Sequence, residues 1–224
     1  MGLNNLEKTI GIKFKDKNLL QQVFIHRSYL NENRGKNLQH NERLEFLGDA
    51  VLEFLVSEFL YKKYNNSEGE MTNWRAALVR GQMLAKIAED IQLDDWLLLS
   101  RGEQKNLPKS KNYIMANTME ALIGAIYLDQ GITTTQKFVQ KWILSKMDEV
   151  LANKLYLDAK TNFQEIVQEH EGVTPIYKVL SEFGPDHAKE FEVGVFASDK
   201  LRGVGKGPSK QAAEQQAAAD ALKK

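Results

Sequence analysis

The sequence predicts an all-α domain followed by a small α+β domain of α-β-β-β-α order. Two observations predict this division. Apolar residues recur at helical spacing over about the first 150 positions, where no segment alternates as a half-buried strand does. After residue 155, three strand-like segments separated by turn residues lie between two helical segments. The change of pattern falls within residues 153–161, which gives domains of residues 1–155 and 156–224.

The spacing of apolar residues and turn residues also predicts the elements of the first domain. In order, these are short helices over residues 3–30, a polar loop over 31–37, a central helix from Asn41 to about residue 64, a helix over 71–91, a short element over 94–99, a loop over 101–109, an apolar helix over 113–128 and a last helix over 133–151. Asn41 is a suitable N-cap for the central helix.

The second domain is predicted in the same way. Its elements are a helix over residues 162–171, strands over 176–180, 191–196 and 200–205, and an Ala-rich helix over 209–222. Its net charge is near zero, but four basic residues cluster around a glycine-rich turn and the start of the last helix, with Asp199 as the only acid among them in the sequence: Lys200, Arg202, Lys206 and Lys210. Backbone N–H groups and lysines at a helix start form a candidate phosphate site, although such a turn is more often only solvated.

The composition excludes several classes of protein. Basic and acidic residues number 30 each, so any contact with nucleic acid must come from a local patch. The chain has no cysteine, which excludes disulfides, cysteine zinc sites and thiol nucleophiles. No apolar run approaches the length of a membrane span, and the first residues lack an apolar signal core. We therefore expect a cytoplasmic protein without membrane contact.

The central helix carries three acids on one face. At about 100° per residue, Glu42, Glu45 and Asp49 fall within roughly 60° of one another. Most of the remaining surface of this helix is apolar, which is typical of a buried helix, so we expect these acids to project from within a core. Buried carboxylates are costly unless they are paired or bind a cation. The alternative is a solvated acidic face that binds nothing.

The apolar helix over residues 113–128 adds two further oxygen donors. Asn117 and Glu120 share one of its faces, and Gly124 lies between them in projection, where it would let another helix approach closely. Together the two helices offer only oxygen ligands, the donor set that suits Mg²⁺. Such ions support phosphodiester hydrolysis by activating water and stabilising the leaving oxygen. Acids at these spacings also occur without a metal, so the spacing alone leaves both interpretations open.

The motif ERLEFLGDAV, residues 42–51, resembles the signature of the ribonuclease III family. The motifs that flank it follow the order seen in that family: HRSY at 26–29, EG at 68–69, RG at 101–102 and EALIGA at 120–125. The remainder of the chain is similar to the family's double-stranded RNA-binding domain. The resemblance therefore covers essentially the whole chain.

The resemblance implies roles for several residues of the first domain. It implies Asp49 and Glu120 as catalytic acids, Glu45 as an accessory acid and Phe46 as a residue that packs across a homodimer interface. The metal ligands that it implies are Glu42, Asp49, Asn117 and Glu120. The implied cofactor is Mg²⁺, with Mn²⁺ as a substitute. Glu68 and Arg101 match positions with accessory or proton-handling roles; the plainer alternatives are the start of a loop and an ion pair.

The resemblance also implies three RNA contact regions in the second domain. They hold Gln164 and Glu165 in the first helix, His187 in the loop between two strands, and Lys206, Ser209 and Lys210 at the start of the last helix. In the last region, Gln211 stands where the family usually has a second lysine. Recognition would depend on A-form shape, 2′-hydroxyls and phosphates over about 16 base pairs, with little reading of sequence.

The function implied by the resemblance is Mg²⁺-dependent cleavage of both strands of double-stranded RNA. The products would carry 5′-phosphates and short 3′ overhangs, and the substrates would be precursors of ribosomal RNA and other structured RNAs, including messenger RNA. One position departs from the family, which often has Asp where this chain has Asn117. An Asn carbonyl can still ligate Mg²⁺ but brings no negative charge, so we expect weaker Mg²⁺ binding with cleavage retained.

Two alternatives remain open from the sequence. Asn117 could mark a cleavage-defective dimer that binds double-stranded RNA without cutting it. Alternatively, the chain could be a helical scaffold whose acids are only surface charge.

Overall fold

The computed structural model describes residues 3–33, 38–156, 159–185 and 189–223, with the side chains of Leu3 and Asn4 left aside. Contacts divide the chain into two compact units, Met1–Tyr156 and Leu157–Lys224. The first unit is helical, and the second is an antiparallel three-stranded sheet with a helix before it and a helix after it. This is the fold class that the sequence predicts.

The helices of the first unit, in chain order, are α1 (Leu3–Ile10), α2 (Lys17–Gln22), α3 (Arg27–Glu32), α4 (Glu42–Lys63), α5 (Glu68–Val79), α6 (Gly81–Asp90), α7 (Arg101–Gln130), α8 (Ile132–Trp142) and α9 (Met147–Ala152). Short 3-10 turns lie at Leu93–Trp96 and Leu144–Lys146. Among the residues that the structure describes, no helix is long and apolar enough to cross a membrane.

Helices α4 and α7 cross in the core of the first unit with their backbones in close contact. A Cβ atom at Gly48 of α4 would lie 1.8 Å from the carbonyl oxygen of Glu120, and one at Gly124 of α7 would lie 2.3 Å from that of Leu44. Neither distance is sterically allowed, so only glycine permits this separation of the two helices. The close approach expected at Gly124 is therefore confirmed, and it brings the acids of α4 beside those of α7.

The expectation that α4 is buried on nearly all sides is wrong for the single chain. Leu52, Leu55 and other apolar residues of one face are buried, but Phe46 and Tyr61 are 80% and 78% exposed. Phe54 is also exposed and lies on the same side of the helix as these two. Hydrophobic periodicity fails here because it detects apolar faces without showing which of them the core of the same chain covers.

Two predicted helix boundaries are wrong because capping and backbone breaks override the apolar pattern. The helix predicted over residues 71–91 is two helices, which meet at Arg80, a residue with extended ψ of 135°. The first of them begins at Glu68, where Ser67 and Glu70 form a capping box. Asn41 precedes α4, but its side chain donates to the carbonyl of Val23 (3.0 Å) and makes no cap hydrogen bond.

The loop predicted over residues 101–109 is helical and forms the first part of α7. Ser100 caps this helix by accepting a hydrogen bond from the amide of Glu103 (3.1 Å). Pro108 lies inside the helix, where its missing N–H leaves the carbonyl of Gln104 without its helical partner. Gln104 and Pro108 are exposed, so water can satisfy that carbonyl.

The helix predicted over residues 133–151 is divided into α8, a 3-10 turn and α9.

The second unit consists of α10 (Ala159–Glu171), β1 (Ile176–Phe183), β2 (Glu190–Ala197), β3 (Lys200–Gly207) and α11 (Lys210–Ala221). The strands pair in the order β1-β2-β3, and α10 and α11 pack against one sheet face through Phe163, Val167 and Ala217. A Cβ atom at Gly205 would lie 2.2 Å from the amide nitrogen of Ala217, so a strand residue without a side chain lets α11 lie directly on β3.

Candidate functional site

The structure brings the predicted acids together where α4 crosses α7. Glu45 and Asp49 project from consecutive turns of α4, and Glu120 projects from the facing turn of α7. Glu45 and Glu120 are half-buried, whereas Asp49 and Glu42 are exposed. The expectation that all of these acids project from within a core is therefore wrong for two of them.

The charges of this cluster are close enough to oppose one another. Burial raises the pKa of the Glu120 carboxyl to about 7, and the negative charges of Asp49 and Glu45 add to this rise. Burial likewise raises the pKa of Glu45, and the charges of Glu42 and Asp49 act in the same direction. A hydrogen bond from the Asn117 side chain to Glu45 works against the rise. In the described ranges of the chain, no positive charge therefore acts on the pKa of Glu45 or Glu120 to offset the negative charges of the cluster.

Glu42 has a different environment from the other three acids. Its carboxylate lies 3.5 Å from Nη1 of Arg27 and 3.7 Å from Nδ1 of His40. It acts on the pKa of Glu45 but is not among the charges that raise the pKa of Glu120. Glu42 therefore lies at the margin of the cluster, and Glu45 occupies the more central place.

A cleft of about 370 Å³ opens beside the acids. The residues that line it are His26, Arg27, Asn41, Glu42, Glu45, Tyr113, Ile114 and Asn117. The sequence predicts no role for His26, Arg27 or Tyr113. The motif HRSY at residues 26–29 was the available signal for the first two, but nothing in the sequence predicts that it lies against α4 and α7.

The donors of this site fit a divalent metal ion in their chemistry. They are carboxylate and amide oxygens, the ligands that Mg²⁺ prefers. Burial and then neighbouring negative charges raise the pKa values of Glu45 and Glu120, so a bound cation would favour their ionised forms. Within the described part of the chain, no three His, Asp or Glu side chains form a group that could hold a metal by themselves. The donors therefore do not form a closed ligand set by themselves, and water would complete the shell of a bound ion.

The remaining predicted residues of the first unit lie outside the acid cluster. Phe46 is exposed beside a groove of about 610 Å³ that is also lined by Leu47 and Leu128. Glu68 begins α5 and lines a separate groove. Arg101 begins α7, and its backbone amide donates to the carboxylate of Glu32 (3.2 Å).

The predicted RNA-binding residues of the second unit lie on exposed surfaces. Gln164 and Glu165 are exposed on α10, while Lys206 and Lys210 are exposed at the end of β3 and the start of α11. Ser209 is the N-cap of α11 and accepts a hydrogen bond from the amide of Ala212 (3.2 Å). His187 lies outside the described residues.

Asp199 is the only acid among the basic residues of this region in the sequence, but the fold brings three glutamates close to them. Lys206 lies 3.3 Å from Glu192, and Lys210 lies 3.7 Å from Glu182. Arg202 pairs with Glu171 at the end of α10. The neighbouring strands and α10 bring these acids close, which the local sequence around the turn cannot indicate.

Comparison with known proteins identifies both units. A family described as "Ribonuclease-III-like" matches residues 16–147, and one described as "Double-stranded RNA binding motif" matches residues 159–224. Curated relatives named Ribonuclease 3 include one from Desulforamulus reducens, 45% identical over 98% of this chain and 89% of the relative. Another, from Streptococcus pneumoniae, is 42% identical over 98% of this chain and 94% of the relative.

A solved structure agrees with these matches for the first unit. The nuclease domain of ribonuclease III from Campylobacter jejuni is 39% identical, with a TM-score of 0.59, and covers 64% of this chain and 97% of its own. Its description refers to a region of that protein involved in dimer formation. The fold and the acid cluster thus define a nuclease unit joined to a unit that binds double-stranded RNA. The chain belongs to the ribonuclease III family of double-strand-specific endoribonucleases.

Proposed function

We propose that this protein is a Mg²⁺-dependent endoribonuclease that cuts both strands of double-stranded RNA to 5′-phosphate products with short 3′ overhangs. The observation that carries the proposal is the convergence of Glu45, Asp49 and Glu120 at the α4–α7 crossing, in a chain that continues into an RNA-binding unit. The family is generally dependent on a divalent metal. Mg²⁺ is the natural choice for an oxygen-only donor set, and Mn²⁺ can substitute for it.

The proposed ligands are Glu45, Asp49, Asn117 and Glu120. The family resemblance implies Glu42 as a ligand and Glu45 as an accessory acid, and we exchange these two roles. The charge of Asp49 acts on the Glu45 carboxylate, which also accepts a hydrogen bond from Asn117, whereas Glu42 faces Arg27. When bound, the ion supplies an activated water and charge stabilisation at the leaving oxygen. Asp49 and Glu120 orient the reacting centre, and Glu120 must lose its proton before it can act as a ligand.

The proposed function can be tested by cleavage of a long RNA duplex at increasing Mg²⁺ concentration, with Glu120→Ala in parallel. We expect Mg²⁺-dependent cleavage by the wild type and a loss of at least a hundredfold in the variant, since a catalytic acid at the reacting centre is removed. Duplex binding without cleavage at any Mg²⁺ concentration would instead support the cleavage-defective dimer. Unchanged cleavage by Glu120→Ala would contradict the assignment of the site.

The proposed assembly is a homodimer that uses the exposed apolar face of α4. Phe46 lines a groove of mixed polarity whose apolar residues include Leu47 and Leu128, an arrangement in which two identical surfaces can complement each other around a two-fold axis. Phe46→Asp should give a monomer in sedimentation experiments, whereas Ile132→Asp at an exposed position of α8 should not change the mass. A dimer that survives Phe46→Asp would exclude this face as the interface.

The proposed cellular role is processing of ribosomal RNA precursors and other structured RNAs in the cytoplasm. It follows from the family and from the RNA-binding unit. Accumulation of uncut ribosomal precursor in cells that lack the protein would support it, and normal precursor levels would contradict it.

A further inference from the structure

The cleft beside the acids is lined by two chemically different groups of residues. Glu42, Glu45 and Asn117 belong to the acidic region, whereas His26 and Arg27 can donate hydrogen bonds. A phosphodiester is an anion, so a cluster of carboxylates repels it unless donors or cations lie nearby. His26 and Arg27 place such donors in the same cleft as the acids.

A hydrogen-bond chain fixes the tautomer of His26. The amide of Ser100 donates to Oγ of Ser28 (3.1 Å), and this hydroxyl lies 2.8 Å from Nδ1 of His26. The amide of Ser28 also donates to Nδ1 (3.3 Å). Because Nδ1 accepts from both groups, the neutral ring carries its proton on Nε2. Nε2 has no hydrogen-bond partner among the described residues, so it is a donor available to a ligand.

Arg27 is held only loosely by its acidic partner. Its guanidinium lies 3.5 Å from Glu42, and the two side chains are 70% and 44% exposed. Ion pairs this exposed contribute little to stability, so Arg27 can turn to another anion at small cost. A guanidinium suits a phosphate especially well, since it can donate two parallel hydrogen bonds to it.

We propose that this cleft binds one phosphate of the RNA backbone next to the scissile bond, with Nε2–H of His26 and the guanidinium of Arg27 as its donors. The two residues bind substrate, and they hold the strand against the repulsion of the neighbouring acids. The inference deepens the proposed function and rests on it.

The role of His26 is tested with two substitutions that separate its ring nitrogens. His26→Asn keeps an acceptor for the amide of Ser28, because Asn is a good N-cap, but removes the distal donor. His26→Gln places an amide donor near the position of Nε2 and loses the cap. In single-turnover cleavage of a duplex with one defined site, we expect His26→Asn to be about tenfold slower at unchanged melting temperature, as for loss of a hydrogen bond to a charged group. His26→Gln should cleave faster than His26→Asn. The reverse order would assign His26 a capping role only and overturn its part in the proposal.

The role of Arg27 is tested by neutralising individual phosphates of the RNA. In each duplex, one phosphodiester near the cleavage site is replaced by a neutral methylphosphonate, and the 2′-hydroxyl next to that position is methylated. The reference duplex for each position carries the same 2′-methylation but keeps its phosphate. We expect one position at which the neutral linkage slows the wild type about tenfold but has little further effect on Arg27→Gln. Arg27→Lys should recover part of the sensitivity, and Lys137→Gln, an exposed charge on α8, should match the wild type. If Arg27→Gln keeps the full sensitivity at every position, the proposed contact does not exist.

These measurements separate the two levels of inference. If the wild type cleaves with Mg²⁺ but the His26 and Arg27 variants cleave equally well, only the phosphate subsite is wrong. If the wild type does not cleave, the proposed function fails and the subsite fails with it.

Discussion

Asn117 determines how much negative charge the acid cluster holds. Its side chain donates to Glu45, whose pKa is already raised by burial and by the charges of Glu42 and Asp49. An Asp at this position would replace that donor with a further negative charge. The residue therefore lowers the repulsion within the metal-free site and, by the same means, weakens the attraction for a cation.

We expect Asn117→Asp to lower the Mg²⁺ concentration for half-maximal cleavage roughly fivefold, which corresponds to about 1 kcal/mol for one additional screened charge near the ion. The measurement is a Mg²⁺ titration of single-turnover cleavage. Asn112→Asp, at an exposed position of the same helix, is the matched control and should leave the titration unchanged. An unaltered midpoint in Asn117→Asp would show that this position does not affect metal affinity.

Glu120 makes the stability of the metal-free protein depend on pH. Burial and then the charges of Asp49 and Glu45 raise its pKa from the usual 4.5 to about 7. The folded state therefore holds a proton that the unfolded state releases between these values, and stability falls as pH rises through this window. Below pH 4.5 both states are protonated and the penalty is absent, whereas above pH 7 it is fully present.

Glu120→Gln removes this penalty, so we expect it to raise the free energy of unfolding of the metal-free protein at pH 8 by about 1 kcal/mol. This value is smaller than the full pKa shift would give, because the Glu120 side chain is only half-buried and water screens its charge. At pH 4 the difference should vanish. Urea denaturation of both proteins at the two pH values gives the comparison. An equal difference at both pH values would mean that ionisation of Glu120 is not its cause.

At the scale of elements, the crossing of α4 and α7 positions the site. The two helices approach closely because Gly48 and Gly124 face the backbone of the opposite helix. The acids lie within one turn of these glycines, so the separation of the helices sets the separation of the carboxylates. Stability and activity should therefore change together when the crossing is disturbed.

Gly124→Ala would place a methyl group 2.3 Å from the carbonyl oxygen of Leu44. We expect this clash to lower the free energy of unfolding by about 1–3 kcal/mol, as in other overpacked cores. The rate of cleavage should fall as well, because the helix crossing that positions the acids is disturbed. Urea denaturation and single-turnover cleavage are the measurements. In the control Gly69→Ala, no atom lies within 4 Å of the new methyl group, and better helix propensity should leave stability equal or about 0.5–1 kcal/mol higher. Equal stability of Gly124→Ala and the wild type would mean that the crossing can widen freely.

At the scale of the whole molecule, a chain with no net charge must bind a polyanion through local groups. In the second unit, Lys206 and Lys210 are exposed at the junction of β3 and α11, each near a glutamate. Exposed ion pairs of this kind are weak, so phosphates can displace the glutamates at small cost. Affinity for RNA should then come from phosphate contacts, which do not distinguish sequences.

For Lys206→Gln and Lys210→Gln, we expect weaker binding to duplex RNA by a similar factor for every sequence, and a decrease of about 1 per lysine in the slope of log affinity against log salt concentration. Binding titrations without divalent metal, at several salt concentrations and with two unrelated duplexes, test both points. Lys178→Gln, on β1, is the matched control. A loss that differs strongly between the duplexes would mean that these lysines read sequence.

The fold class, the acids that are candidates for the cluster and the close helix approach at Gly124 could be predicted from the sequence. These features depend on information that lies within short segments: the period of apolar residues, the chemistry of acids spaced on one helical face, and a glycine that projects between Asn117 and Glu120 on one helical face. The family resemblance added the activity expected of each unit. Each is a local property, so it can be read without knowing which segments meet.

Which groups become neighbours across the fold could be seen only in the folded chain. It placed Glu45 rather than Glu42 beside Asp49 and Glu120, brought His26 and Arg27 to the same cleft, and set glutamates beside the lysines of the second unit. It also showed that one apolar face of α4 is exposed in the single chain. These relations depend on packing between distant segments, and burial and charge coupling arise only once that packing exists.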